Sequence, residues 1–178
     1  MKKIMKLAAA LALVAGFANT SNAQFGASVG LEVAMPLGDF SNLASFGAGV
    51  SGAGEYAMSD NAGITGTIGY IYLAPADGIA SAYMMPMQLG FKYYFDSNEG
   101  GFYGHGQLGV HTLSATTEDF EIFGTTIPGV TASSTELSYA VGAGYLVGES
   151  LDFGLRYNII SGDGGSSNYL GVRVGYNF

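Results

Sequence analysis

The sequence lacks cysteine and is poor in charge, and both shortages narrow the class of protein. Without cysteine the chain forms no disulfide and carries no lipid on an N-terminal cysteine. Charged residues make up 11% of the chain, whereas soluble domains have about 25%. A soluble barrel needs a charged outer surface, so we expect something other than water to cover much of this one.

Half of the few basic residues lie at the N-terminus, where they predict an export signal. Lys2, Lys3 and Lys6 precede a short apolar run over residues 7–17, and the small residues 21–23 (Ser-Asn-Ala) form a cleavage site. We therefore expect residues 1–23 to be a cleaved signal peptide. The alternative, a single membrane anchor, is disfavoured because the apolar run is too short to span a bilayer.

The remaining charge is strongly acidic. Without the signal, three basic residues face 14 acidic ones, so the net charge is 3 − 14 = −11. This balance disfavours nucleic acid as a partner. No apolar run of about 18 residues follows the signal, so no spanning helix is expected. A membrane protein without such a helix must be a closed barrel, because lipid leaves backbone polar groups no other partner.

Apolar residues alternate with small or polar ones in eight segments, which predict eight β-strands. These segments lie near residues 25–35, 46–58, 63–73, 83–95, 101–113, 135–147, 151–160 and 168–178. In the last one, Leu170, Val172 and Val174 share one face, while glycine and arginine occupy the other. A soluble sandwich would place the apolar face inside and charges outside. Here the second face suits a narrow interior, so we expect the apolar face to contact lipid.

The connections between these segments differ in length. Those near 59–62, 96–100 and 148–150 are short, whereas those near 36–45, 74–82, 114–134 and 161–167 are longer. Short turns at one end and long loops at the other are typical of outer-membrane barrels. The sequence therefore predicts an all-β fold, an eight-stranded antiparallel up-and-down transmembrane β-barrel over residues 24–178, with both termini on the periplasmic side.

The chain resembles the small OmpA/OmpX-like outer-membrane barrels, especially the short barrel proteins common in Bacteroidetes. The resemblance covers residues 24–178 and is carried by the signal ending at Ala23, the eight-strand rhythm and the terminal residues 175–178 (Gly-Tyr-Asn-Phe). It implies location in the outer membrane. It also implies that Tyr176 and Phe178 carry the signal that the barrel-assembly machinery reads.

Most charged residues within the strands fall on the inward-facing set, and we expect them to form a network in the lumen. Its members are Glu32, Glu55, Lys92, Glu136, Asp152, Arg156 and Arg173. Closure makes the first and last strands neighbours, so we expect a Glu32–Arg173–Arg156 cluster and a weaker Lys92–Glu55 pair. A barrel of eight strands is just wide enough for side chains to fill, and buried charges must be paired. We therefore interpret the network as a structural plug. The alternative is a gated ion path.

The longest connection, near 114–134, contains both acidic and apolar residues. Glu118, Asp119 and Glu121 are weak candidates for a Ca²⁺ or Mg²⁺ site, because hard cations prefer carboxylate oxygens; a solvated loop is the alternative. The apolar residues of this connection either fold over the barrel mouth or extend two strands outward as a sticky hairpin. We expect no cofactor.

Nothing in the chain indicates an enzyme. The run 47–52 fits G-x-G-x-x-G and the run 26–30 fits G-x-S-x-G, but no helix is predicted after either, as such sites require. His105 and His111 lie on one strand about 20 Å apart, so they cannot share a metal ion as a simple pair.

The sequence favours a structural or surface-interaction protein with a plugged polar lumen and acidic extracellular loops. The alternative is a narrow porin-like channel for ions or small solutes; an outer-membrane enzyme and a soluble barrel that binds an apolar ligand are further classes. Expected partners are outer-membrane lipids, lipopolysaccharide and the barrel-assembly machinery. We expect a monomer.

Overall fold

The chain folds into one closed antiparallel barrel of eight strands, as predicted. The structure, a computed structural model, describes residues 24–76, 79–122, 125–162 and 165–178, so the predicted signal 1–23 lies outside the described residues. Ten strands and one 3-10 helix follow in the order β1 (Phe25–Leu37), the 3-10 turn (Gly38–Asn42), β2 (Ala44–Ser59), β3 (Ala62–Pro75), β4 (Ile79–Tyr94), β5 (Gly101–Thr117), β6 (Phe120–Ile122), β7 (Thr125–Ile127), β8 (Thr131–Val147), β9 (Leu151–Gly162) and β10 (Gly165–Asn177). Within the described residues, no helix has the length and apolar character needed to cross a membrane.

The barrel strands follow one another around the ring in the order β1-β10-β9-β8-β5-β4-β3-β2. Pairing of β1 with β10 closes the ring and places Glu32 opposite Arg173. We call the end that holds Phe25 and Asn177 the terminal end, and the opposite end the loop end. The terminal end also holds the short connections after β2, β4 and β8.

The strands reach further toward the loop end than the sequence predicts. Residues 36–45, 74–82 and 161–167 were expected to be long connections, but most of them continue the strands. Ala44 pairs with Pro75 and Gly165 with Gly162, because backbone groups of adjacent strands keep satisfying one another beyond the last apolar position. The first of these loops then needs only the 3-10 turn, which starts at Gly38 with a φ of 58°.

The outer surface of the barrel is apolar, and the lumen holds the polar residues. Val174 is 40% exposed, whereas its neighbour Arg173 is 7% exposed. The same alternation runs along β4, where Leu89 is 69% exposed and Gln88 is 4% exposed. The predicted direction of the apolar face is therefore confirmed.

Strands β5 and β8 stay paired beyond the end of the β8–β9 pairing and form a projecting ribbon, with β4 paired alongside β5 as far as Thr117. They remain paired out to Thr116 and Thr131, and the short strands β6 and β7 pair at the tip. Of the two arrangements expected for this connection, the continued pairing agrees with the extension of the two strands into a hairpin. Hydroxyl groups bridge the ribbon, for example from Thr112 to Thr135 at 2.9 Å.

Candidate functional site

The lumen contains two linked groups of ion pairs, and the first is centred on Glu32. This side chain lies on β1 and contacts Arg156 of β9 at 2.7 Å and Arg173 of β10 at 3.6 Å. Glu32 is 3% exposed, so its charge is compensated almost entirely by the two guanidinium groups. The structure thus brings together the three residues that the sequence placed in one cluster.

The second group is centred on Asp152, whose central position the sequence did not reveal. Lys92 lies 3.0 Å from Asp152 and 3.5 Å from Glu55, so the expected Lys92–Glu55 contact exists but is the longer of the two. Tyr103 donates a short hydrogen bond to Asp152, and the Tyr94 hydroxyl donates to Glu55. The Lys92 ammonium also lies 4.2 Å from the centre of the Tyr103 ring, where a cation–π attraction adds to the ion pairs.

Arg173 joins the two groups. Its guanidinium contacts Glu32 and lies 3.5 Å from Asp152. It also donates hydrogen bonds to Ser51 at 3.0 Å and to Ser28 at 2.9 Å. One side chain therefore touches both carboxylate centres and two serine hydroxyls.

Glycine makes room for these large side chains in the narrow lumen. A Cβ at Gly30 would come within 2.7 Å of the Arg173 Nε atom, and a Cβ at Gly144 would overlap the Tyr103 ring. Because side chains fill the bore of an eight-stranded barrel, the chain removes a methyl group where an arginine or tyrosine must fit.

The network is balanced in charge. It contains three cations and the carboxylates Glu32, Glu55 and Asp152. The seventh predicted member, Glu136, lies half-buried toward the loop end and forms no ion pair with any residue that the structure describes. The other six residues come together as ion-paired neighbours.

A cavity of about 640 Å³ opens from the network to the terminal end of the barrel. Charged and aromatic side chains of the second group line it, including Lys92, Tyr103 and Asp152, and it extends as far as Arg156. Glu99 and Glu149 lie at its rim. The lumen is therefore open to solvent from this end.

The loop end of the lumen is apolar, and the sequence analysis missed this feature. Buried side chains of six strands and of the 3-10 turn pack together there, namely Ala34, Phe40, Ala44, Ile71, Leu73, Ala82, Met84, Ile160 and Tyr169. We call this cluster the apolar seal. One signal was present in β3, where residues 70–73 (Tyr-Ile-Tyr-Leu) are large and apolar on both faces.

The two histidines occupy separate places in the lumen. His105 Nε2 lies 2.9 Å from the Thr65 hydroxyl, and His111 Nε2 lies 2.8 Å from the Tyr169 hydroxyl. Among the described residues no group of three or more potential metal ligands comes together. Asp119, one of the candidate cation ligands with Glu118 and Glu121, instead accepts a hydrogen bond from the Gly129 backbone N–H at 2.8 Å.

The last strand presents its terminal aromatic residues outward. Tyr176 is 50% exposed and Phe178 is 61% exposed, and their rings meet edge to face at 5.5 Å. The Phe178 backbone N–H donates to the Ala27 carbonyl at 3.0 Å. The C-terminus is therefore held against β1 while both rings remain accessible.

Comparison with known proteins identifies relatives of this architecture. The sequence profile of a family described as outer membrane protein beta-barrel domain matches residues 6–178. No curated protein sequence matches the chain. Among solved structures, Ail of Yersinia pestis is 17% identical and has a TM-score of 0.64, with 87% of this chain and 98% of Ail covered.

Two further structures are similar. Ail in complex with the heparin analogue sucrose octasulfate is 18% identical with a TM-score of 0.63, over 87% of this chain and 98% of Ail. The N-terminal β-barrel domain of Pseudomonas aeruginosa OprF is 14% identical with a TM-score of 0.61, over 86% of this chain and 97% of that domain. At these identities the likeness shows the fold.

Proposed function

Because the chain belongs to the family of outer-membrane protein β-barrel domains, we propose that it is a closed, non-enzymatic barrel with a structural or surface-interaction role. Residues 1–23 act as a cleaved export signal. The barrel is a monomer surrounded by outer-membrane lipid and lipopolysaccharide. Tyr176 and Phe178, accessible at the end of β10, present the signal for the assembly machinery.

The observation that carries this proposal is the occupied lumen. Ion-paired side chains line the middle of the barrel, and the apolar seal packs across its loop end. A channel needs a continuous water path, and apolar constrictions oppose the passage of ions by excluding water. The barrel therefore serves as an anchor for its loops rather than as an open conduit.

The projecting ribbon supports a role in surface contacts. Its β5–β8 pairing extends past the end of the β8–β9 pairing at the loop end, which is the extracellular end in barrels of this kind. Its tip region includes the exposed acidic residues Glu118, Asp119 and Glu121. A ribbon held by pairing on a rigid barrel presents these groups at a fixed distance from the membrane.

The basic residues of this chain are not placed to contact a polyanion at its surface. Ail has been crystallised with a sulfated heparin analogue. Here every basic residue outside residues 1–23 is Lys92, Arg156 or Arg173, and all three point into the lumen. Contacts with lipopolysaccharide phosphates therefore rely on aromatic and hydroxyl groups or on bridging divalent cations, not on direct ion pairs with lysine or arginine.

The alternative function, a narrow channel for ions or small solutes, is favoured by the cavity of about 640 Å³ at the terminal end. Planar-bilayer recording with the purified, refolded protein separates the two functions. We expect an electrically silent membrane in which the presence of folded barrel is verified by its heat-modifiable gel mobility. Discrete conductance steps from the unmodified protein would refute the closed barrel.

A further inference from the structure

The lumen changes character along its axis, and the change suggests which part of it blocks passage. The terminal side is a solvent-open cavity with ion-paired walls, while the loop side is the apolar seal. We infer that the barrel is a latent pore whose barrier is the apolar seal around Phe40, not the ion-pair network, and that it conducts ions when Phe40 leaves. This inference rests on the proposed closed barrel and names the element that closes it.

The lumen remains polar beyond the ion pairs. Five buried side-chain atoms have no hydrogen-bond partner among the described residues, and four of them belong to residues of the lumen: Glu32 Oε1, Arg156 Nε, Asn158 Oδ1 and His111 Nδ1. Buried polar atoms in proteins are nearly always satisfied, either by protein groups or by ordered water. The cavity already reaches Arg156, and these polar atoms continue from there to His111, so the lumen between the cavity and the seal is lined by polar groups.

Above His111 the seal begins. The His111 side chain is bonded to the Tyr169 hydroxyl, and the Tyr169 ring lies 6.5 Å from the ring of Phe40. Tyr169 therefore directs its hydroxyl toward the polar part of the lumen and packs its ring within the seal. Ions that reach this level meet a surface that offers no replacement for their hydration.

Phe40 differs from every other member of the seal because it comes from a connection and not from a barrel strand. The others are fixed by strand pairing. The 3-10 turn that carries Phe40 lies against β1, β2 and β10, and the seal residues on β1 and β2 are Ala34 and Ala44. On β1 and β2 the wall is therefore made of small side chains, and the phenyl ring, packed against Tyr169 of β10, supplies the bulk there.

Packing holds the turn against the strands, whereas its hydrogen bonds are internal to it, so withdrawing Phe40 leaves the strand pairing intact. Within the turn, Ser41 Oγ donates to the Gly38 carbonyl at 2.7 Å, and the Leu43 N–H donates to the Phe40 carbonyl at 3.1 Å. The Leu37 position before the turn provides no side-chain cap. Movement of residues 38–42 breaks none of the residue pairs between β1 and β10, which end at Leu37.

The test is conductance in planar bilayers with the full refolded barrel in potassium chloride. Phe40→Ser is expected to give discrete conductance steps where the unmodified protein gives none, because a hydroxyl and water replace the phenyl ring. Phe40→Leu keeps an apolar side chain of similar reach and is expected to remain silent. Phe46→Ser is the matched control, since Phe46 is 53% exposed and lies outside the seal.

Glu32→Gln separates the seal from the ion-pair network. It disrupts the first group of ion pairs and is expected to remain silent, because the seal is intact. Heat-modifiable mobility verifies that each variant is folded, and Phe40→Ala gives a second opening variant if Phe40→Ser does not fold. Silence of both folded Phe40 variants, or conductance of Glu32→Gln, would overturn the inference while leaving the closed barrel standing. Conductance of the unmodified protein would instead overturn the closed barrel.

Discussion

Replacing Glu32 is the sharpest test of the ion-pair network, because it removes one carboxylate that two cations share. In Glu32→Gln the side chain keeps its shape but loses its charge. Arg156 then has no carboxylate partner within the described chain, and its remaining hydrogen-bond acceptors, such as Gln107 at 3.1 Å, are neutral. Arg173 still lies 3.5 Å from Asp152. One buried cation is therefore left uncompensated.

The single uncompensated cation sets the expected loss of unfolding free energy. Removing one partner of a buried ion pair costs about 3–5 kcal/mol, because the remaining charge stays buried. We expect Glu32→Gln to lower the free energy of unfolding by about this amount. Arg173→Ala leaves each carboxylate its nearest cation, Arg156 for Glu32 and Lys92 for Asp152, so it is expected to cost less.

A double-mutant cycle isolates the pair. Glu32→Gln combined with Arg156→Gln removes both charges. The loss of unfolding free energy in the double variant is therefore expected to be smaller than the sum of the two single losses, by about 0.5–3 kcal/mol. Because the chain has no tryptophan, the folded fraction is measured from gel mobility after equilibration in urea with phospholipid vesicles. Glu136→Gln is the matched control, since Glu136 has no ion pair in the described part of the chain. Equal costs for Glu32→Gln and this control, or strictly additive costs in the cycle, would refute the reasoning.

Two further predictions concern packing and assembly. Gly144→Ala places a methyl group against the Tyr103 ring and is expected to destabilise the barrel by about 1–3 kcal/mol in the same urea assay. Gly106→Ala is the control and is expected to leave the stability unchanged, because its Cβ would meet no atom within 4 Å. Deletion of Phe178 is expected to lower the amount of heat-modifiable protein in the outer-membrane fraction, with the exposed Phe46→Ala as control; an unchanged amount would count against a role of the terminal strand in assembly.

Period-2 alternation was sufficient to predict the strands and their faces. It places Val172 and Val174 outside and Arg173 inside without any knowledge of the ring. The Glu32–Arg173 contact was also predictable, because an up-and-down barrel must pair its first and last strands. Contacts between adjacent strands thus follow from sequence once the strand number is known.

Contacts across the lumen did not follow in the same way. Lys92 on β4 and Asp152 on β9 are three strands apart in the ring, and their 3.0 Å contact depends on strand tilt and on the bore. The alternation pattern contains neither quantity. It therefore identified both residues as inward-facing but paired Lys92 with Glu55 alone.

The apolar seal was not predicted because a single alternation pattern was applied to the whole length of the lumen. Inward positions were assumed to be small or polar at every height. At the loop end Ile71, Leu73 and Met84 point inward and are buried, and the ring of Phe40 comes from a segment that alternation cannot describe. A segment that is apolar on both faces, as β3 is there, indicates a strand with lipid on one side and a packed core on the other.

The distribution of charge explains how so acidic a chain holds charge-balanced ion pairs in its lumen. Three of the fourteen acidic residues are ion-paired in the lumen, and they are matched by the three basic residues beyond the first 23. The acidic excess is carried by the other eleven, and those placed in described turns and in the ribbon connection, such as Asp60, Glu99 and Glu118, are exposed or half-buried. Surface charges of one sign are screened by salt over about 8–10 Å, whereas an unmatched charge in the lumen has no such relief. The number of basic side chains in the lumen must therefore match the number of carboxylates there. The number of acidic residues in the connections is free to vary.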